Sequence, residues 1–95
     1  MIFELRTYSF LPADLPKYLK HAEDVGRSVR ANDYGVNCGY WTSEFGRLNQ
    51  VWHLWRYDSY AQRKELRNKL SQNRDWVDGY LPVVQEWVRR MDIRI

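Results

Sequence analysis

Residues 36–57 have the sequence VNCGYWTSEFGRLNQVWHLWRY. Two parts of this stretch, 36–45 and 50–57, are rich in the aromatic and β-branched residues that strands favour. The tetrapeptide GRLN at 46–49 separates them and has the length of a turn. The sequence therefore predicts a β-hairpin in the middle of the chain.

The segments outside the hairpin predict two more strands and a helix. Residues 2–8 and 88–95 alternate side chains in the two-residue period of a strand. Between residues 15 and 29, apolar side chains recur at three- and four-residue steps, which is the pattern of an amphipathic helix. This periodicity places Arg27 and Arg30 on the polar side of that helix, facing solvent.

A second helical region follows the hairpin. Ser59 and Gln62 have the spacing of a capping box, so a helix is expected to begin at Ser59 and to run to about residue 71. Asn73 or Asp75 can cap another short helix before the last strand. The element order is therefore strand, helix, strand, strand, helix, strand.

This βαββαβ order predicts an α+β, ferredoxin-like subunit. Right-handed crossovers place both helical regions on one face of an antiparallel sheet, with the first and third strands in the middle. Phe3, Leu5 and Leu54 are expected to pack beneath the helices. The opposite face then carries a mixture of large rings and charges: Glu4, Arg6, Tyr8, Val51, His53, Trp55 and Tyr57. Such a face needs a cover, and a second copy of the chain would provide it, which predicts a homodimer.

Size and composition restrict the class of protein. Residues 1–95 make one domain, and fifteen of them are Trp, Tyr or Phe, more ring area than so small a core encloses. Some rings are expected to face a partner or a pocket. No apolar run approaches the length of a membrane span and no leader pattern is seen, so we expect a cytoplasmic protein without membrane contact. Cys38 is alone, which excludes an internal disulfide.

Glu4, Arg6 and His53 are the candidate catalytic residues, because the first and third strands bring them to one face. Arg6 could hold a carboxylate or an enolate, and His53 or Glu4 could move a proton once burial has shifted its pKa toward neutrality. The alternative is structural: Glu4 and Arg6 satisfy each other, and His53 is hydrogen-bonded in a dimer interface.

Tyr8, Trp55 and Trp41 are the candidate substrate-binding residues. They could form the wall of a site for an aromatic ligand, or they could fill the space between two sheets. The face of the second strand stays open at this point, since Tyr40 and Trp41 are equally suitable and point in opposite directions.

Other kinds of site have little support in the sequence. His21 falls on the solvent side of the first helix, which leaves His53 without a second metal ligand, and the five glycines are too scattered for a phosphate loop. We therefore expect no metal and no cofactor. The 15 basic residues are interspersed with 12 acids, Glu4 would repel phosphates, and the third strand lacks the glycine-aromatic pattern of RNA-recognition domains, so nucleic acid is not an expected partner.

Four stretches of the chain resemble the NIPSNAP family. They are FELRTY at 3–8, LPKYL at 15–19, GYWT at 39–42 and GRLNQVWHLWRYDS at 46–59. The C-terminal strand departs from the family, because Asp92-Ile93-Arg94 stands where the family usually carries Glu-Asn-Arg. The resemblance implies a dimeric α+β barrel, in which the sheets of two subunits face each other and enclose a cavity.

Two functions follow from this resemblance and from the candidate residues. The first is a homodimeric barrel that binds a small aromatic or carboxylated molecule between its sheets, with cofactor-independent proton transfer or oxygenation as its reaction. The second is a non-catalytic interaction module whose ring-rich sheet face is only dimer core. Fold alone does not choose between them.

Overall fold

Four strands and two helical regions alternate along the chain, in a computed structural model that describes residues 1–95. The strands are β1 (Ile2–Ser9), β2 (Val36–Thr42), β3 (Gln50–Tyr57) and β4 (Arg90–Arg94). The helices are α1 (Leu15–His21), α2 (Arg27–Arg30), α3 (Tyr60–Leu70) and α4 (Leu81–Gln85). Two π-helical segments complete the helical regions, Ala22–Gly26 between α1 and α2 and Asp75–Tyr80 before α4.

The strands form one antiparallel sheet in the order β2-β3-β1-β4. The first and third strands are central, as the ferredoxin-like prediction requires, so that prediction is confirmed. The register pairs Glu4 with Trp55, Arg6 with His53 and Tyr8 with Val51. A bulge between Asn37 and Gly39 shifts the pairing of β2 with β3.

The predicted capping residues begin both parts of the second helical region. The Ser59 hydroxyl accepts a hydrogen bond from the Gln62 amide at 3.0 Å, and the Gln62 side chain accepts one from the Asp58 amide at 2.6 Å. Farther along, the Asn73 side chain accepts from the Trp76 amide at 3.2 Å. These bonds satisfy amides that have no partner within the helix.

The helices cover the opposite face of the sheet from the one that the sequence predicted. Seven side chains lie beneath the helices and form the inner sheet face, namely Glu4, Arg6, Tyr8, Val51, His53, Trp55 and Tyr57. The outer sheet face, which no element covers, carries five large apolar side chains beside the polar Thr7 and Arg56: Phe3, Leu5, Trp41, Trp52 and Leu54. The expectation that Phe3, Leu5 and Leu54 pack under the helices is therefore wrong, and Phe3 is 47% exposed.

The physical reason is that the helices supply partners for the polar groups of the inner face. Arg63 of α3 binds Glu4, and Arg30 of α2 binds the Tyr57 hydroxyl. Polar groups that find hydrogen bonds can be buried at little cost, whereas apolar groups on an open face are tolerated until a partner covers them. Because the chain's own helices cover the inner face, that face cannot be the core of a dimer.

The largest buried apolar cluster joins the inner face to the helices. Its members are Phe10, Tyr18, Ala22, Val51, Tyr80 and Val84. Gly26 is required within this packing, because a β-carbon there would lie 2.6 Å from Cε1 of Tyr80. None of the helices combines the length and the apolar character that a bilayer crossing requires.

Candidate functional site

A cavity of about 130 Å³ lies between the inner sheet face and the helices, and we call it the helix–sheet cavity. Its sheet wall contains Tyr8, Tyr40, His53 and Trp55, and its helical wall contains Tyr18, Ala22, Gly26, Arg27, Arg30, Trp76, Tyr80 and Val84. Both π-helical segments contribute to the helical wall, and such segments are frequent at functional sites. No carboxylate lines the cavity; its only charged lining residues are Arg27 and Arg30.

His53 lies on β3 at the sheet wall, opposite Arg6 of β1 and Tyr40 of β2. Its Nδ1 accepts a hydrogen bond of 2.7 Å from the Trp55 indole nitrogen. Because an indole N–H can only donate, Nδ1 carries no proton, and the neutral ring holds its proton on Nε2. Nε2 is buried and has no hydrogen-bond partner.

His53 stays uncharged near neutral pH. Burial is the largest cause, and the positive charges of Arg6, Arg30 and Arg67 act in the same direction, so the pKa of His53 falls to about 3. The side chain is therefore a neutral donor with a fixed tautomer. It can offer an N–H to a ligand oxygen, but it has no free ring nitrogen with which to accept a proton.

Arg30, from α2, is a buried cation without a counter-ion. It is 5% exposed, and no Asp or Glu oxygen lies within ion-pair distance of it. Nη2 donates to the Tyr57 hydroxyl at 3.1 Å and to the Tyr34 carbonyl at 3.4 Å, whereas Nε is buried without an acceptor. The guanidinium carbon lies 3.6 Å from the centre of the Trp55 ring, a cation–π contact. Burial lowers the pKa of Arg30 to about 10, which still leaves it charged at pH 7.

Three tyrosines of the cavity, Tyr18, Tyr40 and Tyr80, are neutral phenols. The Tyr40 hydroxyl donates to the Tyr18 hydroxyl at 2.9 Å. Burial raises the pKa of Tyr18 and of Tyr40 above the usual range and that of Tyr80 to about 12. The Tyr8 hydroxyl accepts from Arg6 Nε at 3.0 Å, which leaves its own proton free to donate.

Glu4 and Arg6 form an ion pair next to the cavity, not in its lining. Arg6 Nη1 lies 3.0 Å from Glu4 Oε1, and Arg63 Nε contacts the other carboxylate oxygen. Burial acts to raise the pKa of Glu4, but the hydrogen bonds and charges of Arg6 and Arg63 outweigh it, and the pKa is lowered. This is the arrangement of the structural alternative, in which the carboxylate holds no proton to give and the guanidinium is already occupied.

The structure brings three of the six predicted site residues to the cavity: His53, Tyr8 and Trp55. It places Trp41 on the outer sheet face, opposite Trp52 and 51% exposed, so that Trp41 does not belong to the same site. The sequence did not decide whether Tyr40 or Trp41 lines the site, and in the structure Tyr40 lines the cavity.

Sequence reasoning missed the helical wall of the cavity. Arg30 was expected in solvent, and so was His21, which is half-buried and stacked on Tyr80 with ring centres 5.3 Å apart. Trp76 also stacks on Tyr80, with ring centres 4.5 Å apart. Only the excess of aromatic residues pointed to a ring-lined pocket.

Fold and site together define a class: a ferredoxin-like α+β subunit with a ring-lined cavity between its sheet and its helices. The NIPSNAP family model matches residues 3–95. The chain therefore belongs to the NIPSNAP family.

Individual relatives agree with this assignment. The chain is 34% identical over 82 residues to human protein NipSnap homolog 3A, a match that covers 85% of this chain and 32% of the human protein. It superimposes on the crystal structure of a NIPSNAP family protein from Agrobacterium tumefaciens with a TM-score of 0.92 and 29% identity, over 97% of this chain and 87% of the other.

A more distant structure shares the fold alone. It is described as a dimeric ferredoxin-like protein from an uncultured marine organism, and it matches 97% of this chain and 82% of its own, with a TM-score of 0.64 and 15% identity. The chain spans about a third of the length of the human relative, so family membership does not by itself supply an activity.

Proposed function

We propose that the helix–sheet cavity binds a small molecule built on a single ring, with His53 donating a hydrogen bond from Nε2 to a ligand oxygen. The observation that carries the proposal is the buried Nε2 without a partner in an otherwise ring-lined cavity. An unsatisfied buried donor costs about 1 to 3 kcal/mol, and a ligand acceptor would remove that cost.

The size of the cavity supports a single ring. An apolar cavity of about 150 Å³ is known to hold a benzene molecule; the cavity here measures about 130 Å³ and gains further space from a depression that shares four of its lining residues. Tyr40, Trp55 and Tyr80 offer ring faces and edges for stacking. A wider depression of about 550 Å³ shares Arg27, Asn37, Tyr40 and Trp55 with the cavity and offers a route of entry.

Binding has better support than proton transfer. The cavity has no carboxylate, and the one free nitrogen of His53 already carries a proton. A reaction that places negative charge on a ligand oxygen would still be stabilised by the Nε2 donor. This is the contribution that the site offers to a cofactor-independent proton transfer or oxygenation, the reactions expected from the family resemblance.

Benzamide is a suitable neutral probe, because it combines one ring with one carbonyl oxygen. We expect it to bind the wild-type protein and to lose about tenfold in affinity in His53→Phe, which removes the donor. His53→Gln is the matched control, since a glutamine can accept from the Trp55 indole and donate to the ligand. Equal affinity of the wild type and His53→Phe in isothermal titration calorimetry would contradict the proposed role of His53.

Two copies of the chain are expected to pair through their outer sheet faces. Trp41 is 51% exposed and Phe3 47%, and they share this face with Leu5, Trp52 and Leu54. Burying such a surface against a second copy gains roughly 25 cal/mol for each Å² of apolar area. A protein with this fold is itself described as dimeric. The two sheets would then face each other, with each ligand cavity lying inside one subunit.

Light scattering at micromolar concentration tests the pairing. A chain has a mass of 11.6 kDa, and we expect twice that mass for the wild type. Leu54→Lys places a charge in the centre of the outer face and is expected to give the mass of one chain. Glu65→Lys, which adds a lysine on the exposed side of α3, serves as the control and should stay dimeric. A wild-type protein with the mass of one chain would refute the pairing.

A further inference from the structure

We propose that the ligand of the helix–sheet cavity is an aromatic monoanion, whose negative group pairs with Arg30. This inference rests on the proposed binding function and adds the charge of the ligand to it. Its basis is the position of Arg30 in the cavity wall together with the absence of any protein carboxylate near it.

The two buried arginines, Arg6 of β1 and Arg30 of α2, differ in whether they have a counter-ion. Arg6 is 4% exposed and is paired with the Glu4 carboxylate at 3.0 Å. Arg30 is equally buried, at 5% exposed, but its hydrogen bonds go only to a phenol and to a backbone carbonyl. A buried charge is rarely left without a counter-ion, because burial without pairing is costly. The missing charge is therefore assigned to the ligand.

The rest of the cavity is consistent with an anion. Arg27 adds a second positive charge to the lining, and the wall contains no Asp or Glu that would repel a carboxylate. A guanidinium matches a carboxylate in planar geometry, and Arg30 Nε still lacks an acceptor. Two neutral donors, the His53 Nε2–H and the Tyr8 hydroxyl, can share the remaining carboxylate lone pairs.

Trp55 contacts both the Arg30 guanidinium and the His53 ring. The guanidinium of Arg30 lies over the Trp55 ring, and the indole N–H of Trp55 fixes the tautomer of His53. The anion-binding group and the hydrogen-bond donor are thus held by the same side chain. A ligand with a ring and a carboxylate can contact both.

Benzoate and benzamide make a matched pair of probes, since they have nearly the same shape and differ in charge. We expect the wild-type protein to bind benzoate about tenfold or more tightly than benzamide in isothermal titration calorimetry at pH 7. In Arg30→Met this ratio should fall to about one, with benzamide affinity retained. Lys64→Met is the control, because it removes an exposed positive charge of α3 that lies outside the cavity lining and should keep the preference for benzoate.

The stability of the variant without ligand separates a binding role from a structural one. Arg30→Met removes the cost of a buried unpaired charge together with the hydrogen bond to the Tyr57 hydroxyl, and these two effects oppose each other, so the melting temperature should lie within about 5 °C of the wild type or above it. A larger decrease, or failure to fold, would assign Arg30 to the structure and overturn the inference.

The binding data distinguish the two proposals. If benzamide binds in a His53-dependent manner and benzoate binds no better, the cavity is a ligand site but the inference of an anion fails. A benzoate preference that survives in Arg30→Met also overturns the inference. If neither probe binds the wild type, the single-ring site and its charge fail together.

Discussion

Lowering the pH from 7 to 5 should destabilise the protein through His53. In the folded chain the pKa of His53 is lowered from its ordinary value of 6.5 to about 3 by burial and by three arginine charges. Below pH 6.5, His53 therefore binds a proton in the unfolded chain but stays unprotonated in the folded chain. Because the unfolded state then binds more protons, the free energy of unfolding decreases as the pH falls between these two values.

The size of the effect follows from the difference in pKa. At pH 5 the solution is about 1.5 units below the unfolded pKa and still well above the folded one, and each unit is worth about 1.36 kcal/mol. His53 should therefore cost about 2 kcal/mol of stability between pH 7 and pH 5. Glu4 contributes little in this window, because its ordinary pKa of 4.5 and its lowered pKa in the folded chain both lie below pH 5, so that neither state takes up a proton there.

Urea unfolding at a fixed protein concentration measures this effect, with His53→Gln as the reference. Glutamine does not titrate and can keep the hydrogen bond from the Trp55 indole nitrogen. We expect the wild type to lose about 2 kcal/mol more than the variant over this pH range. Parallel stability curves for the two proteins would show that His53 titrates normally in the folded state, and the neutral donor in the cavity would have to be abandoned.

Two further predictions concern the ion pairs and the helical wall. Glu4→Gln leaves the cations Arg6 and Arg63 close together without their shared counter-charge and should lower the free energy of unfolding at pH 7 by about 3 to 5 kcal/mol in urea unfolding, whereas a cost below about 1 kcal/mol would mean that solvent reaches Arg6 and screens its charge. Gly26→Ala places a β-carbon 2.6 Å from the Tyr80 ring and should cost about 1 to 3 kcal/mol, and an unchanged melting temperature would show that this ring moves freely.

Hydrophobic alternation and turn spacing were sufficient to predict the order of the elements. The hairpin around residues 46–49, the Ser59 cap and the central position of β1 and β3 all appear in the structure. Each depends on neighbours close in sequence or on a topological rule with few exceptions. These features could be predicted because they do not depend on side-chain contacts between residues far apart in sequence.

Alternation could not tell which sheet face the helices cover. It separates two sets of side chains in β1 and β3, but both sets contain large apolar residues. The deciding contacts join residues far apart in sequence, since Arg63 binds Glu4 across 59 positions and Arg30 binds Tyr57 across 27. A polar face looks unsuitable for burial until the partners of its charges are known.

The error at Arg30 has a separate cause in the helix geometry. A regular helix places Arg30 on the polar side with Arg27, but the segment Ala22–Gly26 is π-helical. A π-helical turn uses more residues than an α-helical turn, so the side chains that follow it are rotated relative to the regular pattern. This rotation turns Arg30 toward the sheet. The residue composition of the segment does not predict a π-helical turn.

The two buried arginines show why only one of them implies a ligand. Arg6 has a counter-ion in the Glu4 carboxylate, whose other oxygen binds Arg63 of α3. Arg30 has a phenol, a carbonyl and the Trp55 ring around it, which stabilise a guanidinium but do not neutralise it. Arg30 is therefore a buried charge without a counter-ion, located next to a cavity because of an irregular helix. Proteins retain such local conflicts mainly at functional sites. The charge that balances Arg30 is therefore expected to arrive with the molecule that fills the cavity.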